Sequence, residues 1–262
     1  QRQNLSATLT RPNAIRPGRS LRLVAAASRE TTAPFERTGL AVSATVDAAR
    51  RLRFAMTYGV AASGDFYSRA QGVENALVLS GFADVRRDVT DSPLDARRGY
   101  LLQARVEPSV STGDATVVFA RTTAQARGYW TPEAAPRLTF AARTRTGWIE
   151  PLGGDAADLP PDRLFYAGGG GSVRGYDFNA IFPRSNLAQA KPPGGRGLLE
   201  VSGEARGRIT QRIGAAAFVD GGAAFNAVDE AGDLRWGAGV GVRYDLGFAP
   251  LRFDIAAPLS PR

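Results

Sequence analysis

The stretch LRWGAGVGVRYDL, residues 234–246, decides the fold. Leu234, Trp236, Ala238, Val240, Val242, Tyr244 and Leu246 share one parity, and Arg235, Gly237, Gly239, Gly241, Arg243 and Asp245 the other. Strand side chains point alternately to opposite faces, so this segment has one apolar wall and one polar wall. Working outward, the same grammar recurs. Leu251, Phe253, Ile255 and Ala257 oppose Arg252, Asp254 and Ala256. Leu138, Phe140 and Ala142 oppose Arg137, Thr139 and Arg143, and Leu40, Val42, Ala44 and Val46 oppose Gly39, Ala41, Ser43 and Thr45.

The alternation predicts about twelve strands, roughly at 3–11, 19–30, 36–48, 51–65, 75–87, 98–107, 115–130, 136–150, 197–209, 211–222, 234–246 and 249–258. Short turns, as at 48–51 and 131–136, and one long connection at about 151–196 suggest short turns on one side and long loops on the other. A dry β-sandwich also alternates, but its inner face wants bulky aliphatics. Here the apolar face is often alanine or a single aromatic, and the polar face carries Arg, Asp and Glu at mid-strand. The predicted strands also run well beyond the usual five or six residues. An all-β, transmembrane, antiparallel barrel with a wet lumen accounts for all three features. Trp130, Trp148 and Trp236 fall near strand ends, where an aromatic girdle would lie.

Composition narrows the chemistry. The 262 residues contain no cysteine and no histidine, which rules out disulfides and thiolate or imidazole metal sites. It also removes the commonest general base near neutral pH. The net charge of +8 is carried by arginine, with Lys191 the one lysine. The arginines are scattered rather than gathered into an aromatic-interleaved patch, so no nucleic-acid partner is expected. Ser172 lies among glycines, but Val173 and Arg174 follow it and no G-x-S-x-G exists, so no catalytic residue is assigned. Asp155 and Asp158 read as a solvated loop face rather than a metal site. No nucleotide motif is completed, and no cofactor is implied.

The long connection contains LPPDRLFYAGGGGSVRGYDF, residues 159–178, with the tetrad Val173-Arg174-Gly175-Tyr176. Phe218-Val219-Asp220-Gly221-Gly222 follows in a later strand, and Glu204 lies in the strand before that. These runs resemble the V-R-G-[FY] and F-x-D-x-G signatures of the outer-membrane assembly factor superfamily, which includes the BamA and TamA types and two-partner secretion transporters. The sequence is closest to the TamA-like branch. The 91–100 turn and the ending from Gly237 to Leu259 extend the likeness over nearly the whole chain.

The resemblance implies a barrel of about sixteen strands, in which the tetrad tips a loop folded back into the lumen. Arg174 would meet Asp220, with Phe218, Gly222 and Glu204 on the lumen wall. Counted from that loop, the first three strands, the last strand and the periplasmic POTRA domains would be missing, making 1–262 a partial barrel. The implied function is insertion of unfolded β-barrel or autotransporter clients into the outer membrane of a Gram-negative bacterium. Outer-membrane lipids and a periplasmic or inner-membrane protein would be partners. The alternative is a two-partner secretion pore exporting a partner protein. Neither involves an enzyme.

Overall fold

The structure, a computed structural model, describes residues 2–32, 35–51, 54–69, 72–186, 193–247 and 249–260. Twelve strands follow in chain order: β1 (Arg2–Arg16), β2 (Arg19–Thr31), β3 (Glu36–Arg51), β4 (Phe54–Arg69), β5 (Gly72–Asp88), β6 (Gly99–Gly113), β7 (Val117–Trp130), β8 (Leu138–Gly153), β9 (Gly197–Arg208), β10 (Ile213–Phe225), β11 (Arg235–Asp245) and β12 (Pro250–Pro258). They form one antiparallel sheet in which each strand pairs with its sequence neighbours. The expected start of the fourth strand, with Leu52 and Arg53, lies outside the described residues, as does Lys191.

The polarity of the sheet is inverted relative to a water-soluble domain. Leu5, Leu40, Phe253 and Ile255 are exposed, Ile255 at 81%, whereas Asp65, Glu107, Glu200 and Asp220 are buried. Burying carboxylates and exposing aliphatics would be costly in water. In a bilayer the same arrangement puts the apolar wall against lipid. Parity holds strand by strand. In β4, Ser63, Asp65 and Tyr67 are buried while Val60 and Phe66 are exposed.

The buried face is concave, and the described residues of the 154–196 connection, 154–186 and 193–196, fill it. Residues 162–163 of this loop touch β3, β4 and β6 through Arg37, Tyr67, Ser63 and Glu107. Residues 172–174 touch β8, β9, β10 and β12 through Arg143, Glu200, Asp220 and Asp254. A flat sheet that wide could not present both sets to one loop, so it must curl around it. Between the two contact regions lies an apolar cluster in which loop residues Leu159, Phe165, Val173 and Ile181 pack on Phe119, Ile149 and Leu198. No ladder joins β1 to β12 among the described residues, and these two strands are the sheet's edges.

One expectation needs correcting. Connections are not sorted into short turns on one side and long loops on the other. On the side of the 154–196 loop, the 114–116 link is short; on the opposite side the 89–98 link is long. The extra length has a use. The 89–98 segment crosses the mouth of the concavity, where Arg208 meets Asp95 at 2.8 Å and Arg252 donates to the Leu94 carbonyl at 3.1 Å.

Candidate functional site: the loop latch

Register builds the wall that receives the loop. β10 sets Phe218 beside Glu204 of β9 and Gly239 of β11, and Asp220 beside Ser202 and Gly237. On the next strand Gly241 pairs with Asp254 of β12. Because side chains two apart share a face, Glu204, Phe218, Asp220 and Asp254 all point inward. The glycines opposite leave room. A Cβ on Gly239 would meet the Phe218 ring at 2.5 Å, and one on Gly237 would meet the Arg174 carbonyl oxygen at 2.1 Å.

Arg174 enters this recess. Its Nε donates to Asp220 Oδ2 at 2.7 Å and its Nη2 to Asp220 Oδ1 at 3.0 Å, a two-pronged match of guanidinium to carboxylate. Its Nη1 reaches Glu204 Oε2 at 2.9 Å and Asp254 Oδ2 at 3.0 Å. The guanidinium lies over the Phe218 ring, 3.3 Å from its centroid. The Arg174 backbone N–H also donates to Asp220, and Ser202 Oγ donates to Asp220 Oδ1 at 2.6 Å. Burial works against the charge on Arg174, but the bonds to Asp220 and Glu204 outweigh it and raise its pKa above the ordinary value. The cation is permanent.

The other tetrad residues fix the backbone around that side chain. Val173 is buried, and its Cγ2 occupies the space that a Cβ on Gly222 would need, 2.6 Å away. Gly175 has φ +97°, and a Cβ there would lie 2.8 Å from the Ala257 carbonyl carbon on β12. Tyr176 donates its hydroxyl to the Trp236 and Ser260 carbonyls at 3.2 and 3.0 Å. So Val173, Arg174, Gly175, Tyr176, Phe218, Asp220, Gly222 and Glu204 are brought together in one place.

Three further parts of the latch were not singled out from the sequence. Asp254 is a third carboxylate on Arg174. Glu200, wholly buried, accepts from Ser172 Oγ at 2.5 Å and faces Arg143 and Arg145 at 3.7 and 3.6 Å. A second ionic cluster holds the base of the loop. Asp162 accepts from the Tyr67 hydroxyl at 2.7 Å and from Arg37 at 3.3 Å, and Arg163 donates to Glu107 at 3.0 Å and Ser63 at 3.1 Å. Asp162 and Arg163 stand inside the recognised run, yet nothing local gives their partners, which lie on strands far away in sequence. Asp155, by contrast, caps a short 3-10 turn by accepting from the Ala157 N–H. Among the described residues no group of acidic side chains could hold a metal ion.

A curved antiparallel sheet with an apolar outer wall, a charged inner wall and a loop clamped inside it defines an outer-membrane barrel protein. The chain belongs to the Omp85 superfamily, whose domain matches residues 1–262. It is an outer-membrane protein of a Gram-negative bacterium, of a superfamily concerned with protein assembly and transport. It is similar to the crystal structure of BamA from Haemophilus ducreyi lacking POTRA domains 1–3, with a TM-score of 0.83 at 15% identity, covering 100% of this chain and 59% of that one. It is also similar to CdiB from Acinetobacter baumannii, with a TM-score of 0.49 at 12% identity, covering 99% of this chain and 53% of that one. The chain thus spans little more than half the length of either. At such identities the BamA likeness is one of fold.

Proposed function

We propose that this chain is the membrane-embedded part of an assembly factor of the TamA-like branch, which helps β-barrel or autotransporter clients enter the outer membrane without covalent chemistry. The observation that carries this reading is where the latch holds. Arg174 bonds Asp254 on β12, Gly175 abuts the β12 backbone, and Tyr176 bonds Ser260 just beyond it. β12 is the last strand of the sheet among the described residues, so the loop tip sets how rigidly the sheet is held on the side that leads to the seam, and a strand edge at a seam is a template for an incoming strand. On this reading further strands lie beside β1 and β12, the seam between the outermost ones is where clients pair, and periplasmic domains deliver them. Phe218, Asp220, Gly222 and Glu204 keep the loop and the seam in one state.

The test uses the full-length protein in cells, with Arg174→Ala and Asp220→Asn compared with wild type. Folded client barrels in the outer membrane, read by heat-modifiable mobility, should fall in both variants while the protein's own level stays within about twofold. Unchanged client folding in both would sink the proposal. Loss of an exported partner protein with client folding intact would instead establish the two-partner secretion reading.

A further inference from the structure

A cavity of about 420 Å³ opens at the mouth crossed by the 89–98 segment, among the connections β5–β6, β9–β10 and β11–β12. Its lining carries seven arginines but only three aspartates, so positive charge is in excess. The aspartates are already committed. Asp95 holds Arg208, Asp91 accepts from the Arg97 and Arg98 backbone N–H groups, and Asp245 accepts from that of Gly247. Several arginines are not. No side-chain partner is seen for Arg137 or Arg212 among the described residues, and Arg97 and Arg252 donate only to the carbonyls of Pro136 and Leu94. Arg206 and Arg243 form the inner floor and share Glu204 with the latch.

Guanidiniums gathered in a recess where they outnumber the carboxylates repel one another and favour an anionic occupant. The size of the cavity argues against a lone ion. It is many times the ~30 Å³ share of one water molecule, and Leu94, Ile213 and Ala249 add apolar lining that a bare anion would not use. Its floor, with Thr139 and Arg206, belongs to the concave face, away from the wall that meets lipid chains.

We propose that this cavity binds a short acidic peptide segment, two or more of whose carboxylates pair with Arg137, Arg212 and Arg252. This site stands apart from the assembly reading and survives if that reading fails.

The experiment takes the full-length protein in zwitterionic lipid nanodiscs and follows fluorescein-labelled hexaglutamate by anisotropy. Saturable binding is expected, weakening with salt. The combined Arg137→Gln and Arg212→Gln substitutions, both outside the latch, should weaken it roughly tenfold or more. The charge-reversed pair Arg137→Glu and Arg212→Glu, which leaves five arginines facing five carboxylates in the lining, should lose hexaglutamate altogether, while wild-type protection of the 154–196 loop from protease shows that the variant is folded. Absence of binding, equal affinity in the Gln pair, or retained hexaglutamate binding in the folded reversed pair would overturn the proposal. Displacement of the peptide by inorganic phosphate at matched charge would assign the site to a free anion, and displacement by soluble short-chain phosphatidylglycerol would assign it to a lipid headgroup. Either result also overturns it.

Discussion

Arg174 uses its whole planar fork: two prongs on Asp220, one shared between Glu204 and Asp254, and its face on Phe218. The side chain is 14% exposed and that of Asp220 is 1% exposed. Removing Arg174 leaves Asp220 buried without its cation, at a cost of about 3–5 kcal/mol. Arg174→Ala should destabilise loop docking by that order, Asp220→Ala by less because Glu204 and Asp254 still hold the guanidinium, and the double variant by far less than the sum. A double-mutant cycle on protease cleavage of the loop measures this, and additive effects would remove the pairing. Arg174→Lys should recover little, since an ammonium cannot bridge both Asp220 oxygens. Gly175→Ala should unseat the tip even with Arg174 intact, because positive φ and the Ala257 backbone both exclude a Cβ. Wild-type protection of the loop in that variant would refute this. The Arg174–Asp220–Phe218 contact was legible because one strand carries Phe and Asp at matching parity and the family signature names the arginine. Asp254 was not: its role depends on the register between β11 and β12 and on the curl of the sheet, neither of which is written in a local pattern.

At the scale of elements, period two was sufficient to place all twelve strands, because every one separates an apolar from a polar wall. Strand ends were read less well. β6 runs on to Gly113 although Pro108 interrupts its pattern, and β10 runs on to Phe225 through small residues that show no parity. Connection lengths misled for another reason: length follows what a segment reaches, and the 89–98 link reaches β9 and β12. The long loop is itself an element with two anchors. Asp162→Asn with Arg163→Gln should free its base from β3, β4 and β6 while Arg174 keeps the tip, so cleavage should appear near 162 but not near 174. Simultaneous release of both ends would show a single cooperative anchor. The wall facing lipid makes a different demand. Val240 of β11 pairs with Ala217 and Ile255 and points outward. Val240→Arg should cost about 2–4 kcal/mol if the residue lies near the bilayer midplane. Urea unfolding in lipid vesicles would show it, and a cost near zero would place Val240 outside the middle of the hydrocarbon.

For the molecule as a whole, what matters is where its backbone polar groups go. Among the described residues ten of the strands are paired on both sides, while β1 and β12 each have one side without a ladder. Lipid supplies no hydrogen bonds, so each bare N–H or C=O in the hydrocarbon would cost several kcal/mol. The two edges differ in their support. β12 is braced from inside by Arg174 and by the packing of Gly175 and Tyr176. β1 is exposed along nearly its whole length, and no hydrogen bond or ion pair from the 154–196 loop reaches it among the described residues. If further strands continue the sheet beyond both edges, the outward amides of β1 and β12 in the full-length protein should exchange with deuterium as slowly as those of β6. If the latch also steadies the strands that lead to the seam, the β12 amides should exchange faster in Arg174→Ala than in the wild type, while those of β1 should not. Hydrogen exchange by mass spectrometry in nanodiscs resolves these orders. Protection of β12 unmoved by Arg174→Ala would mean that the latch does not govern the seam and that its role is confined to packing the loop.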